Sequence, residues 1–134
     1  MSIHSASSSR GSPRRGIFWA PGEGRAYRKG GQTGIFKADG EETDNDYSIS
    51  EWWLEPKTDG IGVHVNSCDH VYYVLEGVLT VFMDGRWLRA EKGACVVIPG
   101  GVPHDFENRE ETRVGFLNVN VPGDFERSIA RIFG

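Results

Sequence analysis

Three histidines in this chain stand where their side chains could meet. His64 is followed two, four and six residues later by Asn66, Cys68 and His70, and His104 closes a second segment spaced Gly93-x5-Pro99-x-Gly101-x2-His104-x3-Asn108. Successive side chains of an extended strand point to opposite faces, so residues 64, 66, 68 and 70 share one face if the strand stays regular. Imidazole, amide oxygen and thiolate are all donors to transition metals. The simplest use of such convergence is one divalent ion, with Fe, Zn, Ni, Mn and Cu all compatible. His64, Asn66, His70 and His104 form the candidate ligand set. Ordinary hydrogen-bonded interior histidines are the competing reading.

Other residues earn a place by parity. Tyr72 shares the inward parity of His70 and is a candidate catalytic group, its hydroxyl able to donate to a substrate or to serve only as a packing rim. Cys68 has the ligand parity but is expected to pack as a small hydrophobe beside the pocket, and Cys95 is expected in the core. Phe106 has the parity of His104 and should wall the cavity. Trp52 and Trp53 are adjacent on one strand, so one faces in and the other out, and Trp53 is assigned to the pocket. Glu51 and Glu55 read as strand-end charges, and Asn108 as a support for the ligands or a turn residue.

The elements that must position these groups are short strands. They are expected at residues 33–37, 47–54, 62–66, 70–75, 78–83, 86–90, 94–98, 103–106 and 113–121, with Asp84-Gly85 as a hairpin turn because both positions tolerate positive φ. Gly77, Gly93 and Pro99-Gly100-Gly101 mark further reversals. Such regular spacing suggests a sandwich or barrel. After Pro122 the period changes: Asp124 can cap a helix over about 124–133 whose Phe125, Ile129 and Ile132 fall on one face.

The two histidine segments, with Tyr73-Val-Leu-Glu-Gly77, Asp84-Gly85-Arg86 and Val102-Pro103-His104, resemble the paired motifs of the cupin superfamily, in its small single-domain, quercetinase-like form. The second motif matches at every fixed position. The first departs twice, with Asn66 where the family usually has His and His70 where it usually has Glu. The resemblance covers roughly residues 33 to 127 and implies an all-β jelly-roll β-barrel with a short C-terminal α-helix. It further implies a metal-dependent enzyme on a small organic substrate, dioxygenase-like. A non-redox metalloenzyme (polyketide cyclase, isomerase, lyase or decarboxylase) and a non-catalytic small-molecule-binding cupin are the alternatives. A set of neutral ligands would leave the ion its full +2 charge and so favour anionic ligands.

The 134 residues carry a net charge of −4, with 38% hydrophobic and 25% charged residues, as expected of one globular domain at 16–134. Residues 1–15 hold Arg10, Arg14 and Arg15 and no acid, leaving twelve basic against nineteen acidic residues elsewhere, a net of −7. That balance argues against nucleic acid as a partner. No apolar run approaches the ~20 residues that span a bilayer, so no membrane partner is expected. Residues 1–15, rich in Ser and Arg, read as a flexible tail with His4 solvated; a presequence or an arm reaching a neighbouring subunit would look similar. Two cysteines define no disulfide framework, which points to a reducing, cytoplasmic setting. A homodimer is expected.

Overall fold

Alternation of buried and exposed residues organises the described residues into nine strands. The computed structural model describes residues 14–133, so the expected tail lies, except for Arg14 and Arg15, outside the described residues. The strands are β1 (Arg25–Lys29), β2 (Gln32–Ala38), β3 (Ser48–Leu54), β4 (Asp69–Glu76), β5 (Val78–Met83), β6 (Arg86–Glu91), β7 (Cys95–Ile98), β8 (His104–Glu107) and β9 (Val114–Val121). A single helical turn, α1 (Gly40–Thr43), follows β2, and α2 (Phe125–Phe133) follows β9. Strands β1-β2-β3-β9-β4-β7 make one antiparallel sheet and β6-β5-β8 the other. The inner faces contribute Phe36, Leu54, Val74, Leu79, Val81, Ile98, Val114 and Phe116, each fully buried, to one core. This is the mostly-β, two-sheet architecture of a jelly roll.

Asp84 and Gly85, at φ 55° and 77°, form the two-residue turn that pairs Met83 with Arg86. Segment 62–66 corrects one expectation, because it is not a strand. Gly62 takes φ 102°, and the only ladder contact of the segment is a single bridge between His64 and His104. Side-chain alternation nevertheless persists, with Val63 and Val65 exposed and His64 and Asn66 partly covered.

The tandem tryptophans each lie over a glycine of a neighbouring strand. Trp52 pairs with Gly34, whose hypothetical Cβ would sit 2.7 Å from the indole, and Trp53 pairs with Gly115, where the clearance would be 2.3 Å. Only a glycine leaves room for a ring to lie flat on the sheet at these positions. Trp52 thereby occupies the interior and Trp53 the outer face.

Helix α2 is fixed from outside itself. Asp124, expected to cap it, sits at φ 69°, and the cap comes instead from Asp39, whose Oδ1 accepts from Phe125 N (2.9 Å) and Glu126 N (3.2 Å). Glu126 is then held by Arg25 Nε at 2.8 and 3.0 Å and by the Tyr27 hydroxyl at 2.7 Å. Its Phe125, Ile129 and Ile132 do share the face turned to the barrel.

Asn108, buried after β8, is a structural residue. Its amide donates to the carbonyls of Leu54, Glu55 and Thr112 at 2.8–3.1 Å, and its Oδ1 accepts from Glu110 N at 2.9 Å. Replacing it with Ala strands several buried backbone groups at once and is expected to cost about 2–4 kcal/mol in urea unfolding. A loss below about 1 kcal/mol would show that water replaces the amide.

Candidate functional site

Strand β4 turns His70 and Tyr72 inward, and β8 opens with His104. The 62–66 segment crosses antiparallel to His104, with reciprocal backbone bonds between the two residues, His64 N to His104 O at 3.0 Å and His104 N to His64 O at 2.9 Å. The result brings the three expected imidazoles together: the His104 ring centroid lies 4.4 Å from that of His64 and 4.9 Å from that of His70.

Two of the rings have their tautomer set by backbone oxygen. His64 Nδ1 lies 2.8 Å from Gly62 O and His104 Nδ1 2.8 Å from Val102 O. A carbonyl can only accept, so Nδ1 carries a proton in both, and in the neutral ring the lone pair is on Nε2. His104 Nε2 is buried and has no hydrogen-bond partner. Leaving such an acceptor unpaired costs about 1–3 kcal/mol, and a bound ion would satisfy it.

His70 is engaged on both sides. Asn66 Nδ2 lies 3.0 Å from its Nε2 and Asn120 Nδ2 2.6 Å from its Nδ1. Cys68 Sγ stands 3.7 Å from Nε2. Burial, then the neighbouring His104, pushes the His70 pKa down to about 4, and Asn118 only partly opposes the shift. Burial also lowers His104. Both rings are therefore neutral at pH 7, the state a metal ligand requires.

Among the described residues no three His, Cys, Asp or Glu side chains stand as a ready-made ligand set. The donor chemistry nevertheless suits a divalent transition metal. Imidazoles bound to one ion through Nε2 at roughly 2.1 Å have centroids about 4.5–5.2 Å apart for ligand angles of roughly 90–109°, close to the spacings seen. In His64 and His104 the backbone holds Nδ1 and leaves Nε2 for an ion, His70 must release Asn66, and Asn66 could add an amide oxygen.

His64, Asn66 and His70 line a small cavity of about 80 Å³, closed by Trp52, Phe106 and Tyr72 and roofed by Phe125, Ile129 and Phe133 of α2, and the buried His104 stands beside the two histidines without lining it. Phe106 packs edge-on to Trp52 and Tyr72, as expected of a cavity wall. Tyr72 is buried, which drives its phenol pKa up, so the hydroxyl stays a donor at neutral pH.

Three assignments need correction or refinement. The pocket tryptophan is Trp52; Trp53 lies outside, beneath the Arg113 guanidinium at 4.2 Å and bonded through Nε1 to Glu51. Together they line a groove of about 780 Å³ on the outer sheet face, away from the histidines. Cys95 is exposed rather than in the core, because β7 turns Val96 and Ile98 inward. Cys68 stands half-buried beside His70 and is not one of the cavity-lining residues. Asn118 and Asn120, both buried, were missed. They share the parity of Phe116 in the apolar run Phe116-Leu-Asn-Val-Asn-Val, and two amides of one parity there signal a polar interior.

In the metal-free protein the depressed His70 makes stability depend on pH. The unfolded chain takes up a proton near pH 6.5 and the folded one only near 4, so the stabilisation is complete above about 6.5 and falls as the pH drops toward 4. Urea unfolding at pH 7 and 4.5 should show His70 contributing about 2–3 kcal/mol to this loss. His70→Gln should flatten the profile by that amount; an unchanged profile would mean that His70 takes up its proton alike in the folded and unfolded chain.

Residues 50–120, just over half of the chain, match the family described as cupin domain. An RmlC-like cupin from Shewanella frigidimarina is 18% identical, with a TM-score of 0.71 over 85% of this chain and 97% of its own. KdgF from Halomonas sp. is also 18% identical, with a TM-score of 0.72 over 84% of this chain and 99% of its own. The polyketide cyclase RemF from Streptomyces resistomycificus is 24% identical, with a TM-score of 0.61 over 78% of this chain and 76% of its own. At these identities the likeness is one of fold. No curated protein matches.

Proposed function

Since the chain belongs to the cupin family, we propose that it is a metal-dependent enzyme acting on a small organic molecule, with His64, His70 and His104 holding one divalent ion. The observation that carries the reading is His104 Nε2, a buried lone pair without a partner, facing two further imidazoles. Asn66 is the candidate fourth donor. A redox-active ion held there would supply dioxygenase-like chemistry, and zinc would supply Lewis-acid polarisation of a carbonyl or enolate.

The chain's own residues define the substrate. Trp52, Phe106, Phe125 and Phe133 offer apolar and aromatic surface to a flat or apolar body. The Tyr72 hydroxyl is a donor to a substrate oxygen. No carboxylate is among the described residues that line the cavity; the buried Asp105 is an acidic influence that acts electrostatically on His64 and Tyr72. At about 80 Å³ the space takes only a compact ligand unless α2 swings outward. The neutral ligand set also supports the second reading, a non-redox isomerase, lyase, decarboxylase or cyclase, because an undiminished +2 charge makes a stronger Lewis acid. Elemental analysis of protein purified without chelating resin separates the readings. Iron, copper or nickel favours the first, zinc the second, and absence of metal leaves a binding module.

We further propose that two chains pair through the outer face of the six-stranded sheet, where Tyr73, Val97 and Val121 are exposed. Sedimentation velocity at tens of micromolar should show two subunits, and a clean monomer would contradict the pairing.

No helix among the described residues is long and apolar enough to cross a membrane.

A further inference from the structure

Both ring nitrogens of His70 face amide nitrogens, Asn66 Nδ2 at 3.0 Å and Asn120 Nδ2 at 2.6 Å. A neutral imidazole has one lone pair and a protonated one has none, so neither can accept from both. One amide must present its oxygen. Half a turn of an amide about its last torsion exchanges N for O and leaves the positions almost unchanged. A separation of 2.6 Å is shorter than amide nitrogen normally keeps from a ring nitrogen and lies nearer the range of N–H···O contacts. Asn120 is also coupled to Asn118, the terminal atoms of the two amides being 2.9 Å apart, and Asn118 Oδ1 is buried with no hydrogen bond.

We propose that Asn120 is the positioning residue of His70: it turns Oδ1 to accept from His70 Nδ1–H and donates its own N–H to Asn118 Oδ1. All three imidazoles then share one arrangement, Nδ1–H on an oxygen and Nε2 with a lone pair. Gly62 O, Val102 O and Asn120 Oδ1 are the three acceptors. The same turn places the Asn118 N–H at the buried position that Oδ1 held, in the wall of the cavity that Asn118 lines. The inference deepens the metal-dependent reading and rests on it for its functional meaning, but the orientation of the amides is decided without metal.

The test is the long-range ¹H–¹⁵N spectrum of histidine-labelled, metal-free protein at pH 7. The expected result is a His70 with Nδ1 in the protonated range and Nε2 in the unprotonated range. Asn120→Asp keeps the acceptor this arrangement needs and should keep Nδ1 in the protonated range. Asn120→Leu should move both nitrogens toward intermediate shifts and lower nickel affinity by about 10–100-fold, against less than about threefold for Asn120→Asp. A wild-type spectrum with the proton on Nε2 overturns the proposal, whether or not the variants fold. Failure to bind nickel with the proton on Nδ1 overturns the metal reading and leaves the amide arrangement standing.

Discussion

His104→Ala should lower affinity for zinc or nickel at least about 100-fold, read by competition with a chromophoric chelator, while the metal-free variant keeps its fold. The reasoning starts from the unpartnered Nε2. In the parent that lone pair is buried without a hydrogen bond, so its removal takes away a cost of about 1–3 kcal/mol. The lost packing, and the bond from Nδ1 to Val102 O, offset this gain. Metal-free stability should therefore change by no more than roughly 2 kcal/mol. Binding has no such offset, because one of three imidazoles is gone, and a hundredfold loss corresponds to about 2.7 kcal/mol. Circular dichroism of the variant guards against a trivial explanation by unfolding. Parent-like affinity in a folded variant would remove His104 from the ligand set.

The second large effect concerns charge. With three neutral imidazoles the ion keeps its +2 charge, and carboxylates, phenolates or enolates should bind directly to it. His70→Glu restores the family's usual residue and brings one negative charge to the ion. At an effective dielectric near 20, a unit charge about 4 Å away is worth roughly 4 kcal/mol before screening. Even a third of that is tenfold. The variant should hold its metal and bind acetate or azide at least about tenfold more weakly, as measured by titration at pH 7. Anion binding as tight as in the parent, with metal retained, would mean that position 70 does not touch the ion.

How far the sequence could be read follows from the range of each interaction. Strand parity is local, so the shared face of residues 64, 66 and 70 and the inward turn of Tyr72 with His70 were legible, as were both histidine segments. Segment 62–66 kept this alternation without being a strand, because one bridge to His104 suffices to aim its side chains. Parity alone could not say which of Trp52 and Trp53 turns inward. That choice depends on Gly34 and Gly115 in strands that β3 meets only after folding. Cys95 was misread because the outer face of β7 is as apolar as its inner face. The Asp39 cap on α2 bridges 86 residues, and no local signal announces it. Asn118 and Asn120 did leave a signal, two amides of one parity in an apolar strand, whose meaning appears only beside His70.

The most direct measurement is anomalous diffraction from crystals grown with zinc or nickel. One peak is expected per chain, roughly 2.1 Å from Nε2 of each of His64, His70 and His104, at the inner end of the cavity beneath α2. A barrel without a peak at saturating metal, or a peak held only by surface side chains, would contradict the three-imidazole centre.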